Sequence, residues 1–287
     1  MKIAIVGPGA IGSTFAFHLA RAGHEVTVVA RGARLAQLEK ERAIVTTDEQ
    51  RAPVEVSAAL KPTTPWDLVL VTVLESQVDA VLPALQRSAA KQVMFMFNTF
   101  APLDRLRDAV GANRFVFGFP AILAELKDGK LQSQVIPRAL SALQITIVTD
   151  EAWAAVFSKA GIATDTQVDM HSWLRTHAAL VVPVMITSFR AYERGSGLSW
   201  NESRELASGM AEGLSLVRSL GHRLTPSNVA LLDKLPAPVL TLGLWLLSRN
   251  PAIVALGGKG PGEARTLIDA MVASAPTRSA RLRSLRP

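Results

Sequence analysis

Gly7, Gly9 and Gly12 stand in the order G-x-G-x-x-G within Gly7-Pro8-Gly9-Ala10-Ile11-Gly12. Glycines at this spacing can make a tight turn, let backbone N–H groups approach a pyrophosphate and let a helix pack closely on the strand before it. The second half of the pattern lies about 20 residues further on, where an acid would hydrogen-bond a ribose 2′-hydroxyl and an arginine would accommodate a 2′-phosphate. Here the stretch reads Val29-Ala30-Arg31-Gly32-Ala33-Arg34, and no acid follows until Glu39. Arg31 offers phosphate a planar fork of donors. The expected cofactor is therefore NADPH, held by Gly7, Gly9, Ala10, Ile11, Gly12 and Arg31. Arg34 either adds charge to this site or is a solvated helix residue. The chain has no cysteine, which excludes disulfides, thiolate metal sites and a cysteine nucleophile, and its five histidines are scattered, so no metal is expected.

A glycine triplet does this work only between a strand and a helix. Lys2 to Val6 is a short apolar run rich in β-branched residues, as in a strand buried on both faces. After the glycines Ile11, Phe15, Leu19 and Ala22 recur at helical spacing, Gly23 stops the helix, and Glu25 to Ala30 is a second β-branched run. The alternation continues with a helix over Leu35 to Arg42, short strands at Ile44 to Thr46 and Val54 to Val56, and the strongest central strand at Asp67 to Val73. A helix over Gln77 to Ser88 and strands at Gln92 to Phe97, Gly111 to Gly118 and Gln144 to Val148 complete it. Beyond about Asp165 the texture changes to long helical repeats, first Trp173, Leu180, Val184 and Phe189, then Leu206, Met210, Leu214 and Val217. The fold class is α/β: an N-terminal Rossmann-type parallel-sheet domain over residues 1–166, followed by an all-helical C-terminal domain over 167–287 for substrate and dimerisation. The active site is expected in a crevice between the two.

Composition bounds the rest. The chain has 287 residues, enough for two cores, and its 49% apolar content excludes a disordered protein. The net charge of +7 invites a nucleic-acid reading, but Arg278, Arg281, Arg283 and Arg286 concentrate in the last residues, which read as a frayed tail. Basic surface beside a phosphate-bearing cofactor and an anionic substrate accounts for the remainder. The apolar run after Lys2 breaks at Gly7, short of a signal peptide, and Ala178 to Phe189 and Ala237 to Leu247 are too short to span a bilayer. A cytoplasmic protein is expected, with no nucleic-acid or membrane partner and a homodimer as the assembly to test.

Together the GPGAIG turn with Arg31, the strand Asp67 to Val73 followed by Gln77, Asn98 after a strand, and a helical half entered through Trp173-Leu174-Arg175 resemble the ketopantoate reductases (2-dehydropantoate 2-reductases). The resemblance covers nearly the whole chain, and its specific motifs lie in the first third. It implies hydride transfer from NADPH to a carbonyl, with the proton given by a lysine at the start of the long C-terminal helix. Arg175 occupies that position. Arginine can hold an oxyanion but is a poor proton donor near neutrality. Asn98 is implied to orient substrate or nicotinamide ribose. Where the family has substrate-positioning asparagines this chain has Ala179 and Val182-Pro183, and where it has a glutamate this chain has Leu267, with Glu263 one turn earlier. Leu74 replaces a lysine after the central strand, and Thr99 a glycine after Asn98. These departures imply weak turnover of ketopantoate, raised by restoring Lys at 175 and Glu at 267.

His171 lies four residues before Arg175 and shares its helix face, whereas His177 lies about 200° around. His171 either donates the missing proton or packs at the helix entrance. The reading is an NADPH-dependent reductase of a small 2-oxo acid, with Arg175, Asn98 and His171 as catalytic candidates and Glu263 as a further cofactor contact. The alternatives are a reductase of another carbonyl or imine and a catalytically silent NADPH-binding sensor.

Overall fold

The computed structural model describes residues 1–136 and 145–287, so Gln144, the first residue of an expected strand, lies outside the described residues. The chain forms two units: Met1–Asn98 with Leu103–Met170, and Thr99–Pro102 with His171–Pro287.

Unit 1 begins with β1 (Lys2–Val6), whose four residues after Lys2 are buried. The glycine turn leads into α1 (Ala10–Arg21), and the chain returns as β2 (Glu25–Val29), parallel to β1 with Val6 opposite Val29. Then follow α2 (Gly32–Glu41), the pair β3 (Ala43–Val45) and β4 (Arg51–Pro53), β5 (Glu55–Ser57) and the fully buried β6 (Leu68–Val71). After α3 (Leu82–Arg87) come β7 (Gln92–Met96), α4 (Asp104–Val110), β8 (Phe115–Phe119) and the antiparallel pair β9 (Ile122–Lys127) and β10 (Lys130–Val135). β11 (Thr146–Val148), α5 (Glu151–Lys159) and β12 (Thr164–Thr166) close the unit.

Eight strands form one sheet in the order β12-β11-β8-β7-β6-β1-β2-β5. Every pairing in it is parallel except β8 with β11. The order steps outward from β1 in both directions, so the turn after β1 lies at the switch point where open α/β sheets bind ligands. The N-terminal sheet domain with helices expected from the sequence is thus present. Its core includes Ile3, Ile5, Phe15, Leu19, Leu70 and Phe157, with Phe15 edge-on to Phe157 at 5.0 Å. Burial of one such side chain contributes about 1.5–3 kcal/mol.

Three expectations need correction. The helix over Gln77 to Ser88 is two pieces, a 3-10 turn over Glu75–Ala80 and then α3, because Pro83 in the first turn of α3 lacks the N–H that would continue a single helix. The strand expected from Gly111 starts at Phe115, since Gly111 (φ +89°) ends α4 instead. The hairpin of β9 and β10 was not expected at all. Its turn is Asp128-Gly129, both at positive φ (49° and 79°), the backbone that a two-residue hairpin loop demands.

Unit 2 is helical: α6 (Met170–Arg194, its first residue belonging to unit 1), α7 (Trp200–Ser219), α8 (Ser227–Leu232), α9 (Ala237–Leu247), α10 (Pro251–Leu256), α11 (Gly262–Ser274) and α12 (Ala280–Leu285). Ser199 caps α7 reciprocally with Glu202, satisfying two N-terminal donors. The core gathers Val182, Ile186, Leu206, Leu214, Leu267, Met271 and Leu282, and Phe100 joins it. No single helix among the described residues is long and apolar enough to cross a membrane; α9 together with Pro251–Lys259 passes that test only as a pair bent by 76°.

The arginine-rich C-terminus is not a frayed tail. Leu282 and Leu285 of α12 are buried, and the Glu212 carboxylate accepts from the N–H groups of Arg281 and Leu282. Arg286 makes a bidentate pair with Asp269. Two leucines three residues apart anchor a helix whose arginines face outward, a pattern that charge counting hides.

Candidate functional site

The glycine turn in unit 1 has a separate physical reason at each glycine. Gly7 sits at φ +87°, and a Cβ there would lie 2.5 Å from Val73 Cγ1. At Gly12 a Cβ would overlap Thr72 Oγ1 and lie 2.6 Å from Gly7 O, so close packing of α1 on the sheet requires glycine. Thr72 Oγ1 donates to Gly7 O at 2.8 Å and fixes the turn from the side. Gly9, which caps α1, has nothing within 4 Å of its would-be Cβ. That open face, and a first turn of α1 without acids, suit a pyrophosphate on the helix N–H groups. Ala10 and Ile11 supply the first of those groups. The residues present fit a dinucleotide.

Arg31 is exposed at the N-cap of α2, and its side chain makes no cap hydrogen bond. Arg34 points inward. Its Nε donates to Pro8 O at 3.0 Å, Nη2 to Ser13 Oγ at 2.8 Å, and Nη1 to Gln37 Oε1 at 2.7 Å and Gly129 O at 2.9 Å. Burial lowers its pKa. It is thus not the solvated helix residue that was one of its two readings. Leu74, where the family has lysine, is exposed.

In unit 2 a second set gathers around Arg175, which is only 7% exposed. Its Nη1 donates to His171 Nδ1 at 3.3 Å and to His222 Nε2 at 2.9 Å. A guanidinium can only donate, so both of those ring nitrogens accept. Neutral His222 then carries its hydrogen on Nδ1, 3.1 Å from Ser172 Oγ. The two imidazoles lie nearly parallel, 8° apart, and the guanidinium carbon stands 5.6 Å from the Phe100 ring centroid, within cation–π range. Thr176 Oγ1 donates to Ser172 O, one turn back, and accepts from Thr225 N, which ties the loop carrying His222 to α6. The shared face of His171 and Arg175 is as the i, i+4 spacing predicts. His222 was missed, because it follows α7 by a loop and nothing in its local sequence links it to a residue on α6.

His177 lies on another face, stacked on Trp173 at 4.8 Å, and burial pushes its pKa down to about 4. It is a neutral packing residue at ordinary pH. Asn98 follows β7 by two residues and is half-buried, and Glu263 is exposed in the first turn of α11. Leu267 is 1% exposed inside the core of unit 2. A glutamate there would bury a charge, so restoring it would damage the core rather than rebuild a site. Ala179 and Val182 are also core residues, and a Cβ added at Gly213 would lie 3.1 Å from Ala179 Cβ, so α6 and α7 approach too closely for a larger side chain at 179.

A switch-point glycine turn on a largely parallel sheet, followed by a helical unit, defines a class of two-unit α/β proteins whose first unit has the architecture used for dinucleotides. Within it, residues 3–136 match the family described as ketopantoate reductase PanE/ApbA, and the resemblance read from the sequence is shown there. A 2-dehydropantoate 2-reductase of Vibrio cholerae is 31% identical over 140 residues, which is 46% of this chain and 42% of that protein. The chain thus matches less than half of that relative's length. Across the whole chain the likeness is one of fold. The crystal structure of a PanE/ApbA family ketopantoate reductase from Ralstonia eutropha JMP134 covers 100% of this chain and 96% of its own with a TM-score of 0.75 at 20% identity. D-mandelate dehydrogenase with NADH and anilino(oxo)acetate has a TM-score of 0.73 at 16% identity, covering 100% of this chain and 96% of its own.

Proposed function

We propose that this protein is a ketopantoate reductase-like oxidoreductase that uses NADPH to reduce a small 2-oxo acid. The observation that carries the reading is Arg175, a buried guanidinium held by two imidazoles and an aromatic face beside the start of α6. An arginine so fixed binds a carboxylate, or the oxyanion developing on a carbonyl, at a defined angle. A water or His171 supplies the proton that the reduced oxygen needs, and His171 can do so only when its ring has taken up a proton and released its hydrogen bond from Arg175. Asn98 orients the substrate or the nicotinamide ribose, Glu263 is a further cofactor contact, and Arg31 meets the 2′-phosphate. The nicotinamide supplies the hydride when bound.

The apolar packing of Ala179, Val182 and Leu267 favours a substrate other than ketopantoate, because three positions that would carry polar groups in the family are closed core here. A panel of 2-oxo acids and their neutral methyl esters, followed by NADPH absorbance, tests the reading. Turnover of at least one acid, with its ester much slower, supports it. Bound cofactor without turnover of any carbonyl or imine favours the sensor alternative.

A further inference from the structure

Arg34 joins three segments far apart in sequence: the glycine turn at Pro8 and Ser13, its own helix α2 at Gln37, and the hairpin tip at Gly129. All four acceptors are neutral, and among the described residues Arg34 makes no ion pair. Ser13 Oγ also donates to Pro8 O at 3.0 Å, so that carbonyl receives two donors and the Pro8–Gly9 peptide is fixed in orientation. Half-burying a cation without a counter-charge strips part of its hydration, and the same neutral acceptors could be met by an uncharged side chain. A positive charge kept behind the turn that receives phosphate makes physical sense when an anion completes it.

We infer that Arg34 is the positioning residue of the dinucleotide's pyrophosphate: it locks the glycine turn through Pro8 and Ser13 and places a half-buried positive charge behind the α1 N-terminus. This rests on the dinucleotide reading above and divides the work between two arginines. Arg31, exposed at the end of β2, distinguishes NADPH from NADH. Arg34 serves the part the two cofactors share. Gly129 belongs to the device through its backbone, because its φ of +79° turns its carbonyl onto Arg34 in a conformation that glycine adopts without strain.

The test is dissociation constants for NADPH and for NADH by calorimetry, well below the melting temperature of each variant. Arg34→Gln should weaken both cofactors by the same factor, about ten-fold, the size of one charge-assisted contact. Arg34→Lys should recover part of that loss, since the charge returns without the fork, and Arg31→Ala should weaken NADPH alone. Arg34→Gln that binds both cofactors as the wild type does, or that loses NADPH only, overturns the inference while leaving the dinucleotide reading intact. If Arg34→Gln does not fold, Arg34→Lys decides: parallel losses support the inference, and unchanged affinities overturn it. A wild type that binds neither cofactor removes the dinucleotide reading itself, and this inference with it.

Discussion

Arg175 is held by donors it spends and by a ring it covers, and these predict how substitution should behave. Arg175→Lys keeps the charge but cannot reach His171 and His222 together while presenting a flat fork to a carboxylate. We expect kcat/KM for an acidic substrate to fall about 10- to 100-fold, equivalent to about 1.4–2.8 kcal/mol, with cofactor affinity unchanged. A lysine variant faster than wild type on ketopantoate would show instead that the family's proton donor is all the site lacks. At Arg31 the expected loss in Arg31→Ala is roughly ten-fold in NADPH affinity with none for NADH, the value of one charge-assisted contact to the 2′-phosphate. Calorimetric titration of both cofactors reads it directly. The shared helix face of His171 and Arg175 was legible from their i, i+4 spacing, whereas Arg31 was singled out by its distance from the glycines and Arg175 by the family resemblance. Arg34 and His222 were not resolved, because their roles depend on acceptors at Pro8 and Gly129 in one case and on a loop 47 residues from Arg175 in the other.

Elements carry the next set of consequences. Gly12→Ala places a methyl group against Thr72 Oγ1 and Gly7 O, where neither the strand end nor the turn can retreat. Overpacking of this kind costs about 1–3 kcal/mol, and here it should also remove dinucleotide binding; thermal melting with and without NADPH separates the two effects. In α7, Glu202 has its pKa drawn down to about 2, first by its hydrogen bond from Arg194 and then by Ser199. A carboxyl whose folded pKa lies below its unfolded one stabilises the fold above the unfolded value near 4.5 and loses that effect as pH falls towards 2. Ser199→Ala, which removes the reciprocal cap, should cost about 1 kcal/mol in denaturant melts at neutral pH.

His177 has the opposite sense, because burial disfavours its charged form. Its folded pKa near 4 lies below the unfolded 6.5, so the unfolded chain binds the proton more readily and stability falls as pH drops through that window. His177→Phe should flatten the pH dependence of stability between 6.5 and 4. Long periodic elements such as β1, β6 and α7 were legible from hydrophobic repeats. The β9–β10 hairpin was missed although Asp128-Gly129 between alternating residues is a strong turn signal, because Leu123 and Glu125 alternate weakly with their buried neighbours. Pro83 broke an apparently continuous helix for a reason visible in the sequence but outweighed by its apolar neighbours.

For the molecule as a whole, the helical unit depends on its last residues. Leu285 is 3% exposed, and a Cβ at Gly209 would overlap its Cδ1, so α12 seats against a glycine on α7. Leu285→Ala should cost about 2–4 kcal/mol, whereas Arg286→Ala, which breaks an exposed pair, should cost under about 1 kcal/mol. Equal losses in urea melts would mean that the charges rather than the leucines hold the terminus. The composition concealed this arrangement because four arginines in a short stretch dominate the net charge without deciding where the leucines go.

The most direct measurement of the central claim is a pair of substrates on a pair of proteins. Once the panel has identified an acid that is turned over, kcat/KM is measured for that acid and for its neutral ester on the wild type and on Arg175→Ala, with NADPH affinity determined in parallel. The account predicts that the substitution abolishes turnover of the acid, lowers that of the ester far less, and leaves NADPH affinity nearly unchanged, as expected for a guanidinium that meets the carboxylate. Equal losses for acid and ester, or lost NADPH binding in the folded variant, would contradict it and make Arg175 a structural or cofactor residue.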